Sequence, residues 1–241
     1  MKLLLLGLIV FLSYTVQAMT GFGSIILAIT FGSFFYPVKT VLPVFVLLDL
    51  ILNLYIVWKY VKIADTALLF RKILPLMIAG AVVGLSIFHA YAGNSKFLLG
   101  FLVTFLAIFE LVNFYRKSDK VSIRPEVANA FLFTSGVVEG MYASGGPLVV
   151  YVLNKLPISK SVFRSTLALL WVLMDVFLIA GYVVMGIVVK KSFLTVLILF
   201  PVVVFSLLWG EFFHFRVDER KFRLTVLYIL LVGGLSILFG R

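Results

Sequence analysis

The sequence contains no cysteine in its 241 residues, which excludes disulfides, thiolate catalysis and cysteine-ligated metal sites. Histidine is nearly as scarce, and the two copies, His89 and His214, are too far apart in sequence to indicate a metal site. We find no nucleophile–base pairing, no H-E-x-x-H motif and no phosphate-binding loop. The sequence therefore predicts a protein that is not an enzyme, holds no metal or cofactor and is not a self-contained ATP-driven pump.

Charged residues are also few, at 13% of the chain, whereas 63% of the residues are hydrophobic and the mean hydropathy is +1.19. Apolar runs of about 20 residues, separated by short charged connectors, are typical of membrane-spanning helices. The formal charge of +11 does not form a patch, because the basic residues are spread over the connectors. We therefore predict an all-α integral membrane protein whose partners are the lipid bilayer and a small molecule, and not nucleic acid.

The first 18 residues also fit a signal peptide, with Lys2, an apolar core and the Val16-x-Ala18 pattern. The apolar pattern does not stop there but continues through residues 25–37. We therefore interpret this segment as part of the fold.

Two long apolar segments are interrupted by glycine clusters, and three uninterrupted segments follow each of them. This pattern predicts two repeats joined by a basic linker at residues 116–126. The first repeat, 1–115, is predicted to hold an interrupted hairpin at 2–36 and helices at 41–57, 73–91 and 97–115. The second repeat, 127–241, is predicted to hold a hairpin at 127–154 and helices at 162–186, 193–213 and 222–239.

The distribution of basic residues predicts how these segments cross the membrane. If each interrupted segment enters and returns on the same side, 15 of the 21 basic residues share one side of the membrane. If each is a single crossing, the split is nearly even, so the positive-inside rule favours the returning hairpins. Three crossings then follow each hairpin, so the two repeats have inverted topology, and both termini lie outside the cytoplasm. Paired interrupted segments in inverted repeats are typical of secondary transporters.

The two interruptions predict a binding site near the middle of the membrane. Non-helical backbone persists at that depth only where protein or a water-filled cavity satisfies its amides. A helix that starts after each break directs N–H groups and a positive dipole end toward a cavity, which suits an anion. Serine at such a position is a good N-cap or hydrogen-bond donor. The candidate anion-binding residues of the breaks are Gly21, Gly23, Ser24, Ser144, Gly145, Gly146 and Pro147.

Further polar residues lie within the apolar segments. Asp49, Asp175 and Glu139 are candidates to carry a coupling proton, because an ionisable group at membrane depth is by default a functional candidate. A structural pair with a backbone or hydroxyl partner is the alternative for each. Asn53, which falls on Asp175 when Gly23 is set on Gly145, and Trp171 are further candidates for the site. Arg164 is a candidate to bind or steer an anion, or simply one of the charges that orient the chain.

The glycine motifs resemble those of the sulfite exporter TauE/SafE family, and the resemblance extends over nearly the whole chain. Gly21, Gly23 and Ser24 carry it in the first half, and residues 144–147 carry it in the second. Pro157, Ser161 and Arg164 fit the P…K-S-x-x-R-S stretch that is typical after the second motif. The resemblance implies a carrier that moves sulfite, sulfonates or related organosulfur anions across the cytoplasmic membrane, usually outward.

Several alternatives stay open at this point. A channel for small anions could be built on the same repeats, and a carrier of carboxylates would have the same general site. The sequence does not fix the anion, the direction, the coupling ion or whether the two motifs contribute equally. The assembly state is equally open, with a homodimer as one expectation.

Overall fold

A computed structural model describes residues 2–90, 95–115, 123–156, 158–188, 190–214 and 219–239. These residues form α-helices and connecting turns, which confirms the predicted all-α class. In chain order the α-helices are α1 Lys2–Thr20, α2 Ser24–Gly32, α3 Val38–Tyr60, α4 Thr66–Leu68, α5 Leu74–Ala90, α6 Ser95–Tyr115, α7 Pro125–Tyr142, α8 Gly146–Leu153, α9 Lys160–Val184, α10 Lys190–His214 and α11 Glu219–Phe239. A 3₁₀ turn, Val61–Ile63, extends α3, and a π-helical turn, Leu69–Ile73, joins α4 to α5.

Six helical segments in the described part of the chain are long and apolar enough to cross a bilayer. They are Lys2–Thr20, Val38–Ile63, Thr66–Ala90, Lys96–Tyr115, Ser161–Val184 and Ser192–Phe212. A shorter apolar helix covers Leu224–Phe239. The protein is therefore a multi-pass membrane protein, as its hydropathy predicts.

Both predicted interruptions are real breaks between helices. Between α1 and α2 the chain turns through Gly21 at φ 86° and Gly23 at φ 97°, a left-handed conformation that glycine adopts without steric cost. Between α7 and α8 it turns through Ala143 at φ 50°, and Pro147 then occupies the first turn of α8, where its missing N–H matters least. The helices after the breaks are short, with nine residues in α2 and eight in α8.

Helix boundaries recur at a constant spacing in the two halves. The helices before the breaks end at residues 20 and 142, those after the breaks begin at 24 and 146, and the next long helices begin at 38 and 160. Each pair is 122 residues apart, the spacing at which the two glycine motifs align.

The helices pack mainly across the two halves. α1 packs on α10, α5 on α7, α3 on α9, and α6 on α11. The α5–α7 crossing is close because glycines face the opposite backbone, and a Cβ at Gly80 would lie 2.1 Å from the Phe133 carbonyl oxygen. Such small-residue crossings are typical of membrane helices. Because each half packs mainly on the other, residues of the two breaks lie together between the halves.

Several helix boundaries differ from the predicted ones. The third helix begins at Val38, not at 41, because Pro37 fixes its start as the N-cap residue. Pro125 and Glu126, assigned to the linker, form the first turn of α7. Most of the linker, residues 116–122, and Pro157 of the second motif lie outside the described residues.

Candidate functional site

A cavity of about 20 Å³ lies where the two breaks meet. It is lined by Gln17, Gly23, Ser24, Ile25, Ile26, Asp49, Glu139, Ala143, Ser144, Gly146, Pro147 and Trp171. These residues come from both halves of the chain, and the first turns of α2 and α8 both reach the cavity. Its volume is enough for about one water molecule.

A chain of hydrogen bonds surrounds the first break. The Ser24 amide donates to Gln17 Oε1 over 3.1 Å, and the Ser24 hydroxyl donates to Asp49 Oδ1 over 2.5 Å. Asn53 Nδ2 donates to the other oxygen of Asp49 over 2.7 Å, and Gln17 Nε2 donates to Asn53 Oδ1 over 3.3 Å. All four side chains are buried, so α1, α2 and α3 are joined by one polar network.

The second break has a simpler arrangement. The Gly145 amide donates to Glu139 Oε2 over 2.7 Å, and the Ser135 hydroxyl donates to the Gly145 carbonyl over 2.7 Å. The Ser144 hydroxyl donates to the Tyr142 carbonyl over 2.8 Å. Both polar groups of Gly145 are thus held by side chains of α7.

Trp171, on α9, connects the two breaks. Its indole Nε1–H donates to the Gly21 carbonyl over 3.2 Å. A Cβ placed on Gly146 would lie 3.6 Å from Phe22 and 3.7 Å from Trp171, so this glycine lies between two aromatic rings. The indole therefore ties the backbone of the first break to the start of α8.

Arg164 lies beside the first break and does not line the cavity. Its guanidinium donates to the Ala18 carbonyl over 3.1 Å and lies over the Tyr60 ring, 5.7 Å from the ring centre. A cation at the last carbonyls of a helix stabilises that end, so Arg164 caps α1. In this conformation Arg164 has a structural partner, and both of its predicted roles stay predictions.

Three carboxyl groups are buried near the centre, namely Asp49, Glu139 and Asp175, each at most 4% exposed. Asp175 does not line the cavity. It shares a hydrogen bond with Asn53, and its Oδ2 has no partner. Among the described residues no lysine or arginine forms an ion pair with any of the three. The centre is therefore rich in acceptors that no basic side chain neutralises.

The profile of the family described as "Sulfite exporter TauE/SafE" matches residues 6–237. The chain belongs to the TauE/SafE sulfite exporter family. Comparisons with curated proteins and with solved structures gave no match. The family match confirms the resemblance of the glycine motifs, and it identifies the chain as a membrane transporter of the class that carries sulfite and related organosulfur anions.

In this TauE/SafE protein the structure brings most of the predicted site residues together. Gly23, Ser24, Ser144, Gly146 and Pro147 line the cavity, with Asp49, Glu139 and Trp171. Gly21, Gly145 and Asn53 are tied to that lining by hydrogen bonds of Trp171, Glu139 and Asp49 respectively.

The structure shows which polar groups at the breaks already have partners. Ser24 and Ser144 are not N-caps, because Gly23 and Gly145 occupy those positions and neither makes a side-chain cap. The hydroxyls of both serines donate to protein oxygens instead. Two amides at the breaks, those of Ser24 and Gly145, are also bound by side chains.

Sequence reasoning missed Gln17, which caps the amide of Ser24 and lines the cavity. The signal that could have found it is the repeat spacing, because Gln17 lies 122 residues before Glu139. It also missed Phe22, whose ring packs against the start of α8.

Proposed function

We propose that this protein is a secondary transporter that exports a small sulfur-containing anion, such as sulfite or a sulfonate, by alternating access. The observation that carries the proposal is the cavity between the starts of α2 and α8, to which both halves of the chain contribute. Helix starts that meet at the centre of a membrane protein are suited to an anionic group. The anion would be held by backbone amides and would need no metal.

The two breaks offer unequal numbers of amides. The first-turn amides of Ile25 and Ile26 have no partner within α2, by the geometry of any helix start, and both residues line the cavity. At α8, the Gly146 amide is likewise a first-turn donor and its residue lines the cavity, but Pro147 has no N–H, and the Gly145 amide before the helix is bound by Glu139. We therefore expect α2 to supply more donors to the anion than α8, although its glycine motif is the shorter one.

The size of the cavity supports a mechanism in which the site opens and closes. A cavity of about 20 Å³ holds about one water, and an oxyanion with several heavy atoms needs more room. We infer that this conformation is a closed one, and that α2 and α8 separate when the anion binds. Movement of the broken helices against the remaining bundle would expose the site to each side in turn.

The arrangement of the halves supports inverted repeats. The constant spacing of helix boundaries and the cross-packing of α1 with α10 and α5 with α7 indicate that the halves are related. The distribution of basic residues favours opposite orientations, with both termini outside the cytoplasm and the protein in the cytoplasmic membrane. Asp49, Asp175 and Glu139 remain the candidates for a coupling proton.

Flux of radiolabelled sulfite into proteoliposomes tests this proposal. We expect saturable uptake that sulfonates compete for and that a pH gradient changes. A flux that rises linearly with sulfite concentration and does not depend on the pH gradient would indicate a channel instead. Competition by carboxylates alone would refute the assignment of a sulfur anion.

A further inference from the structure

At each break a side chain near the end of the preceding helix accepts a hydrogen bond from a backbone amide. Gln17 and Glu139 lie 122 residues apart, three residues before the ends of α1 and α7, and each accepts a hydrogen bond from an amide of its own break. In the first half the acceptor is the neutral amide oxygen of Gln17, 3.1 Å from the Ser24 nitrogen. In the second half it is a carboxylate oxygen of Glu139, 2.7 Å from the Gly145 nitrogen. At this pair of matching positions, therefore, the second half has an ionisable group where the first half has a neutral one.

The Glu139 carboxyl group lies at a position suited to an anion. Its side chain lines the cavity, is 2% exposed, and accepts a hydrogen bond from the amide just before the start of α8. A carboxylate and a sulfur oxyanion make the same charge-assisted bond to such an amide. Only one of them can hold the Gly145 amide at a time.

The surroundings decide what happens to Glu139 when it leaves that amide. The ionisable groups that face it are Asp49 on α3 and Asp175 and Tyr182 on α9. The helices that contact α7 carry further ionisable groups. They are His89, exposed near the end of α5, Tyr151 on α8, and Lys96, Glu110 and Tyr115 on α6, whose Phe109 ring packs on Phe131 of α7. Lys96 is exposed near the start of α6, and no described lysine or arginine forms an ion pair with Glu139. A Glu139 carboxylate that left the Gly145 amide would lose its donor and remain buried among other acids, with no described lysine or arginine paired to it, which is strongly unfavourable.

We propose that Glu139 is an internal anion that occupies the Gly145 amide in the empty transporter, and that the transported anion displaces it while Glu139 takes up one proton. The proposal rests on the proposed function and names its coupling ion. The hydrogen bond from the Gly145 N–H to Glu139 breaks, and the same N–H then donates to an oxygen of the anion. The freed carboxylate gains its proton from water on the side to which the site is open.

This exchange conserves charge at the site. For a monovalent anion the site has the same net charge before and after binding, because one proton enters with it. When the anion leaves, Glu139 loses the proton and returns to the amide. The anion and the proton then move in the same direction, and the direction follows from the sum of their two gradients.

Gln17 in the first half shows which substitution of Glu139 keeps the hydrogen bond at the break but removes the ionisable group. In Glu139→Gln the amide oxygen can accept from Gly145 as Gln17 accepts from Ser24, so the break is retained without an ionisable group. Glu139→Ala is a second variant, which leaves the amide free. Glu110→Gln is the matched control, because Glu110 is another buried glutamate, 3% exposed, that lines a neighbouring cavity of about 40 Å³.

The experiment counts protons per anion. Proteoliposomes with a trapped pH dye take up ³⁵S-sulfite, and the proton flux is divided by the sulfite flux at one fixed pH. Protons carried by sulfite itself contribute equally for every protein, so the difference between proteins reports on the side chain. We expect Glu139→Gln to move one proton fewer per sulfite than the wild type. Glu139→Ala should show the same loss, and it should also bind sulfite more tightly, because no side chain competes for the Gly145 amide. Glu110→Gln should match the wild type.

The outcomes separate the two proposals. If the wild type moves sulfite and Glu139→Gln moves as many protons per sulfite as the wild type does, the role of Glu139 is refuted while the transport function stands. A loss of one proton in Glu110→Gln would also refute it, because burial alone would then be enough. If the wild type moves no more sulfite than protein-free vesicles do, the proposed function fails, and the role of Glu139 fails with it.

Discussion

Gly145 and Gly146 are neighbours at the second break, yet the structure predicts opposite results for their replacement by alanine. Gly145 has φ −68°, which any residue adopts, so Gly145→Ala introduces no backbone strain. The added Cβ, however, would lie 2.2 Å from the Ser135 carbonyl oxygen and 2.8 Å from the Ser135 hydroxyl. At Gly146 the added Cβ would be in ordinary contact, 3.6 Å from the nearest atom of Phe22.

The size of the destabilisation by Gly145→Ala follows from the contacts that the new Cβ displaces. Relieving a clash of this depth with backbone moves α7 and the break apart by about 1 Å, and overpacking of this kind costs about 1–3 kcal/mol. Such a shift also weakens the two hydrogen bonds that α7 makes with Gly145, both of 2.7 Å. A buried hydrogen bond that is lost costs about 1–3 kcal/mol. We therefore expect Gly145→Ala to destabilise the protein by about 2–6 kcal/mol.

Thermal unfolding in detergent measures this difference. For a chain of this length about 1 kcal/mol corresponds to roughly 2–4 °C, so the apparent melting temperature of Gly145→Ala should fall by about 4–24 °C. Gly146→Ala should melt within about 2 °C of the wild type. Equal melting temperatures for the wild type and Gly145→Ala would refute the close packing of α7 against the break.

Two further substitutions test the tie between the breaks and the helix crossing that supports them. Trp171→Phe keeps a ring but removes the Nε1–H that donates to Gly21, so it should destabilise the protein by about 1 kcal/mol and raise the KM for sulfite, as thermal unfolding and uptake kinetics would show. Gly80→Ala would place a Cβ 2.1 Å from a carbonyl oxygen of α7 and should lower the melting temperature at least as much as Gly145→Ala, whereas at Gly7 the nearest atom would be 3.9 Å away and alanine should have little effect.

The class of the protein and the positions of its breaks are predictable because they depend on local sequence. Apolar runs of bilayer length define the helices, and Gly23 and Pro147 mark the places where a helix cannot continue unchanged. The family match and the helical structure confirm these two predictions. The assignment of individual residues to anion or proton binding stays a prediction.

The partners of the polar groups were not predictable, because they depend on packing between helices. Asp49 takes donors from α2 and from its own helix, and Arg164 reaches a carbonyl of α1 that is 146 residues away in sequence. In the sequence Glu139 is an isolated acid. Only the folded chain shows that its carboxyl group accepts a hydrogen bond from the Gly145 amide, just before α8. Hydropathy reports how deep a residue lies, but it does not report which group that residue faces.

Binding of ³⁵S-sulfite to purified Gly146→Leu tests most directly the claim that the anion is held between the two breaks. Gly146 lines the cavity between Phe22 and Trp171, and a leucine side chain would fill a space of about 20 Å³ that must admit the anion. We expect the wild type to bind sulfite and a folded Gly146→Leu protein, checked by its elution and melting behaviour, to bind none. Binding of equal affinity by the folded variant would contradict the account.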